Sequence, residues 1–242
     1  MTHNLRLLGL TLIVVLALGG IAAQGAAGNV EHSFTSASEP TELTGSGGVH
    51  EWGLEEGEAV LKCGKVALTG YLATTSADEI NLTPEFSECK FSSKVGTYSV
   101  TAKNNGCKTA FDSDTSPNPD TGKKEDGTVS LTCGHSGNLS FEFIREGKKV
   151  EILFLDTHPA GVPVNQELHG AKYFLGGPEV GPSDLIIQAH VTRFKFLCVG
   201  NCAPVELREG TNDGGTTIGN YTVKGYSDAA HAHQVSLGFS TP

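Results

Sequence analysis

Positive charge is scarce in this chain of 242 residues. Lys and Arg number 17 against 27 Asp and Glu, the formal net charge is −10, and no Lys/Arg run is longer than two. Nucleic acids and anionic membrane surfaces are held by phosphate-neutralising cations, so neither is an expected partner. Beyond residue 23 the chain has no apolar run long enough to cross a bilayer as a helix. Helical periodicity is missing as well: no 11-residue window after residue 27 repeats its apolar positions every 3.6 residues. Catalytic fingerprints are absent too. There is no G-x-S-x-G elbow, no HExxH, no phosphate-binding loop and no dinucleotide fingerprint, so no cofactor is expected.

What is present begins with a leader. "MTHNLR" is short and basic, "LLGLTLIVVLALGGIAA" is uncharged and apolar, and "QGAAG" supplies small residues. This order is that of a signal peptide, removed before the rest folds. Gly25 and Ala27 suit the positions before a cut, giving a signal peptide over 1–27 and a secreted domain over 28–242. An uncleaved anchor is the alternative, but Gly19 and Gly20 interrupt a run already short for a span. The expected location is extracellular or in the cell envelope, with no membrane span after cleavage.

Alternation dominates the domain. Tyr98, Val100 and Ala102 share one face of "GTYSVTAK", and Leu139, Phe141 and Phe143 share one face of "NLSFEF". Val129, Leu131 and Cys133 align in "TVSLTC", as do Val235, Leu237 and Phe239 in "HQVSLGF". Period-two patterns of this kind are half-buried strands. Gly147 in "REGKK" marks a hairpin, and Asn105-Gly106 carries a tight-turn signal. In "SDLIIQAHVTRFKFL" the phase flips: Leu185, Ile187, Ala189 and Val191 hold one parity, and Phe194, Phe196 and Cys198 the other. A flip inside one long strand predicts a β-bulge near Thr192-Arg193. The fold class expected is all-β, an antiparallel β-sandwich (Ig-like or jelly-roll-like) with disulfides behind a signal-peptide helix. Two segments read as long loops, 112–127 and 157–183. The second holds four prolines and five glycines and is the candidate boundary if the domain divides. The stretch 29–48 reads as a first strand followed by a flexible segment.

Six cysteines, Cys63, Cys89, Cys107, Cys133, Cys198 and Cys202, all follow the leader. An even count behind a signal peptide implies disulfides, with many connectivities open. The interval from Cys63 to Cys89 equals that from Cys107 to Cys133. That suggests pairs 63–89, 107–133 and 198–202. Each long loop would contribute about 3.5 kcal/mol and the short one about 2 kcal/mol in the chain-entropy account. The "CVGNC" pair could also be read as zinc ligands or redox thiols. Its gap of three lacks both the usual zinc spacing with a second pair and the C-x-x-C of a redox helix.

Short elements line up along most of the domain. They are His32-Ser33, Lys62-Cys63, "TPEFSEC" from Thr83 to Cys89, "NGC" from Asn105 to Cys107 and "GNYTVKG" from Gly219 to Gly225. In this order the chain resembles a large group of uncharacterised secreted all-β proteins of soil actinobacteria. It departs from that pattern in the acidic 112–127 segment and in the CVGNC pair. The resemblance implies a secreted all-β domain and carries no activity.

Other constellations have the residue types for chemistry. His231 and His233 sit two apart, so a strand would aim both at one metal, with His190 as a third ligand. The simpler reading places them at a core edge or in a loop. Asp114, Ser116, Asn118, Asp120 and Glu125 follow the ligand count of an EF-hand, but Pro119 stands where that loop needs Gly. His135 and Ser136 are adjacent, so a strand would point them to opposite faces. Glu51, Glu55, Glu56 and Glu58 form an acidic cluster, and Trp52 suits either a sugar platform or the core. Three N-x-[ST] sequons lie at Asn81, Asn138 and Asn220.

The functional expectation is a non-enzymatic binding or display module whose partner is an envelope protein or a glycan. A secreted metal- or carboxylate-dependent hydrolase is the alternative, and a self-associating structural component is a third class. Intact mass of the exported protein should match a chain starting near Gly28. Alkylation should add nothing until reduction exposes six thiols; labelling of Cys198 and Cys202 without reductant would overturn the staple assignment.

Overall fold

A computed structural model describes residues 33–54, 58–113, 127–133, 137–155, 166–176, 182–203 and 210–240. Sixteen strands and no α-helix occur among them. In chain order the first are β1 (Ser33–Ser36), β2 (Thr41–Gly47), β3 (His50–Leu54), β4 (Ala59–Leu72), β5 (Ser76–Ala77) and β6 (Glu79–Ser93). Then come β7 (Gly96–Asn104), β8 (Cys107–Asp112), β9 (Gly127–Cys133), β10 (Asn138–Arg145) and β11 (Lys148–Leu155). The last are β12 (Gln166–Gly176), β13 (Asp184–Gly200), β14 (Gly210–Tyr226), β15 (Gln234–Val235) and β16 (Leu237–Ser240).

The main sheet closes on itself. Strands β4, β6, β13 and β14 are long enough to take different neighbours at their two ends. At one end the circuit runs β14-β2-β4-β6-β8-β9-β12-β13 and back to β14. At the other it runs β14-β3-β4-β6-β7-β10-β11-β13 and back. Both circuits pass through eight strands, all antiparallel. Strands β2 and β3 therefore share one position on the circumference, as do β7 and β8, β9 and β10, and β11 and β12. The result is an up-and-down barrel of eight positions with its final strand paired to its first. A second, three-stranded sheet, β16-β1-β5, is not hydrogen-bonded into the barrel ladder but packs on it, with Phe34 and Leu237 in the same buried cluster as Leu43, Tyr173 and Val223.

The all-β, disulfide-bearing expectation holds, but two packed sheets do not describe the molecule; one sheet closes around its own core. Period-two alternation is the same in either architecture, and closure depends on pairings between distant strands. Inward side chains fill the barrel in two apolar clusters. Phe91, Phe141, Phe196, Leu61 and Ile152 belong to one; Phe111, Leu68, Leu82, Leu185 and Ile187 belong to the other. Eight strands leave an interior just wide enough for side chains to fill.

Local signals account for several features. Glu146 and Gly147 both have positive φ, 51° and 74°, giving the tight β10–β11 hairpin expected at Gly147. The register of β13 against β14 shifts between Thr192 and Phe194 and again before Phe196. That is where the phase flips, so Leu185, Ile187 and Ala189 point inward before the shift and Phe196 and Cys198 after it. Two loop readings differ from the structure. Residues 166–176 are strand β12, and a register shift between His169 and Ala171 breaks the alternation there. Residues 41–47, read as flexible, form β2.

Asn105-Gly106 does not close a hairpin. It is a step between β7 and β8, both of which pair with β6. Asn104 holds this step. Its Oδ1 accepts the Cys107 N–H at 2.7 Å, and its Nδ2 donates to the carbonyls of Cys107 (3.0 Å) and Pro84 (2.8 Å). Pro84 lies in the part of β6 that faces neither β7 nor β8 in register. A strand residue's N and C=O point the same way, so proline's missing N–H faces a gap where no ladder bond was due. Replacing Asn104 with Ala strands the Cys107 N–H and the Pro84 carbonyl. The expected cost is about 1–3 kcal/mol, read as a lower urea midpoint at unchanged m-value.

Candidate functional site

Among the described residues, apolar side chains pack the barrel interior. Its main polar feature is a pair of rings. His50 begins β3 and Tyr221 lies on β14, and Tyr221 Oη sits 2.5 Å from His50 Nδ1. His50 also stacks on Trp52, with ring centroids 4.1 Å apart, and meets Phe86 edge-on. Gly219 makes this approach feasible, because a Cβ there would lie 2.6 Å from both His50 Nδ1 and Tyr221 Oη. Burial pushes the His50 pKa down from 6.5 to about 3 and pushes the Tyr221 phenol up. Both groups are neutral, bonded and sealed from solvent, so the pair is a structural clasp.

On the outside, a groove of about 580 Å³ crosses β2, β4 and β6. Alternation builds its floor. Leu43, Leu68, Leu72 and Leu82 point into the barrel, so their neighbours Glu42, Thr44, Thr69, Tyr71 and Thr83 point out. Register then aligns them. Thr44 faces Thr69, which faces Thr83, and Glu42 faces Tyr71 in the adjacent row. Tyr71 is 63% exposed, large for an aromatic ring. Asn81 donates to Glu79 Oε1 on one rim, and Lys108 of β8 adds a cation.

His231, in the turn 227–233, contributes to the far wall. Asp228 Oδ1 accepts the Ala232 N–H, and Asp228 Oδ2 accepts the His233 N–H and sits 2.9 Å from His233 Nδ1. The Ala232 bond, followed by that from His233, holds the Asp228 carboxyl below its usual range. His231, at φ 55°, stacks on Tyr226 at 4.8 Å and lines the groove. The groove thus joins hydroxyls, an amide, two carboxylates, one ammonium, an imidazole and an exposed ring.

The cysteines pair as Cys63–Cys89, Cys107–Cys133 and Cys198–Cys202. The first two link residues directly opposite each other on adjacent strands. Cys198 and Cys202 are buried at the end of β13, with Gly200 between them at φ 95°. His190 is exposed on β13, away from His231 and His233 in the turn. Among the described residues no three His, Cys, Asp or Glu side chains group as metal ligands. The EF-hand-like set Asp114, Ser116, Asn118, Asp120 and Glu125 lies outside the described residues, as do His135, Ser136, Glu55 and Glu56. Glu51 pairs with Lys62 and Glu58 with Lys94 on the surface. Trp52 is 5% exposed and packs on Phe86, Phe141 and Phe154, so it is core and not a platform.

Sequence reasoning passed over the groove. The outward Thr of "TELTG", "VALTG" and "NLTPEF" was readable from alternation; that the three stand side by side depends on register. Comparison with family models, curated proteins and solved structures yields no match.

His50 supplies a pH test. The His50 imidazole stays neutral in the folded state down to about pH 3, while in the unfolded chain it takes up a proton near 6.5. Stability is therefore full above pH 6.5 and falls as pH drops toward 3, by up to about 1.4 kcal/mol per unit. Urea unfolding between pH 7 and 5, where few carboxylates titrate, should show this slope. His50→Gln should flatten it; an unchanged slope would assign the effect elsewhere.

Proposed function

We propose that this chain is a secreted or cell-envelope binding module without catalytic activity, displaying its recognition surface on the outside of a filled barrel. The observation that carries this reading is the groove over β2, β4 and β6, which is polar, partly aromatic and bounded by a braced turn. A closed barrel suits this role. With all eight positions paired, no barrel edge is left for indiscriminate strand addition, and recognition falls to side chains.

Secretion is part of the proposal. It is supported by the leader-like start and by three disulfides, which persist in oxidising compartments. No helix among the described residues is long and apolar enough to cross a membrane. The likeness to secreted actinobacterial proteins points the same way.

The test uses exported protein labelled with a fluorophore. It should be retained on washed cell-envelope fragments in a saturable manner, and the fragments should release no new soluble products on incubation. Steady release of saccharide or peptide would sink the non-enzymatic reading. Failure to bind any envelope fraction would remove the binding one.

A further inference from the structure

We infer that the groove over β2, β4 and β6 binds a neutral polysaccharide, with Tyr71 as the stacking platform; this rests on reading the chain as a binding module. Size is the first support. About 580 Å³ lies within the range of ~300–1,000 Å³ typical of sites for small ligands. The chemistry of the lining is the second. Thr44, Thr69 and Thr83 stand side by side on adjacent strands, spaced by roughly 4.8 Å. Each hydroxyl both donates and accepts, as do the hydroxyls of a sugar chain. Tyr71, left 63% exposed beside that row, offers an apolar ring face with a polar tip. A pyranose presents the matching combination of C–H faces and hydroxyl edges.

Charge separates this occupant from others. The carboxylates of Glu42 and Glu79 outnumber the single ammonium of Lys108, so the groove lacks the positive excess that a polyanion requires. An extended peptide would seek an open strand edge, and β2, β4 and β6 each have a partner strand on either side, β6 lacking one only at the short step between β8 and β7 where Asn104 bonds the Pro84 carbonyl. The wall is also fixed in advance. Asp228 braces the backbone that carries His231, so little ordering cost remains for binding.

The experiment measures binding of the intact exported protein to immobilised oligosaccharides. The neutral series are derived from cellulose, chitin, xylan, mannan and α-glucan, with sulfated and uronic acid series beside them. Tyr71→Ala, Tyr71→Phe and Lys108→Ala are compared with the parent chain. Tyr71 is exposed, so neither of its variants should disturb folding, and urea midpoints check this. The proposal expects a neutral ligand whose affinity falls about tenfold or more in Tyr71→Ala and survives in Tyr71→Phe. Lys108→Ala should change it little. Neutral glycan binding that ignores Tyr71→Ala would overturn the groove assignment and leave the module reading standing. Binding only to charged series, lost in Lys108→Ala, would overturn the neutral ligand. Retention on envelope fragments without any glycan binding would overturn the glycan and keep the module; retention on neither would remove both.

Discussion

Closure of the main sheet is the constraint from which the rest follows. Strand β14 pairs with β13 on one side and with β2 and β3 on the other, so the last position of the barrel is also the neighbour of the first. An open sheet of this length would leave two rows of unpaired backbone groups and one uncovered apolar face. Closing it satisfies the backbone and encloses the apolar face in one step. The enclosed volume must then be filled, and the phenylalanines and leucines of the two clusters fill it.

The division of the core into two clusters matches the division of the sheet. Four strands run the full height, and the other four positions are each shared by two shorter strands. The interruptions between those shorter strands carry polar devices that spare the ladder. Asn104 supplies side-chain bonds where β7 steps to β8. His50 and Tyr221 meet just after the gap between β2 and β3, with Phe86 bridging the two clusters beside them. The buried ring pair is tolerated there because each polar atom of the contact meets the other.

Much of the local structure was legible in the sequence because it depends on neighbours along the chain. The alternation in β7, β9 and β10, the hairpin at Gly147 and the phase flip in β13 are of this kind. So is the equal cysteine spacing, since the linked residues sit opposite each other across adjacent strands. What could not be read depends on pairing. Closure, the alignment of Thr44, Thr69 and Thr83, and the facing of Glu42 with Tyr71 all require knowing which strands adjoin and in what register. Strand β12 was hidden for a different reason. Its register shift beside Gly170 erases the alternation that would have announced it, and its neighbouring prolines suggest a loop.

The placement of the two long-loop disulfides has a mechanical consequence. Cys63–Cys89 and Cys107–Cys133 each fasten one strand to the next, and Cys198–Cys202 closes a short turn. With all six cysteines accounted for, no covalent link crosses the seam where β14 meets β2 and β3. Tension applied at the two ends of the chain would first part β1 from β16 and would then meet only hydrogen bonds and side-chain packing at that seam. Once it parts, the strands peel away, but residues 64–88 and 108–132 stay looped behind their sulfurs and add nothing to the stretched length. An oxidised molecule pulled from its ends would thus unravel only in part, its reach shortened by the two segments held behind their disulfides.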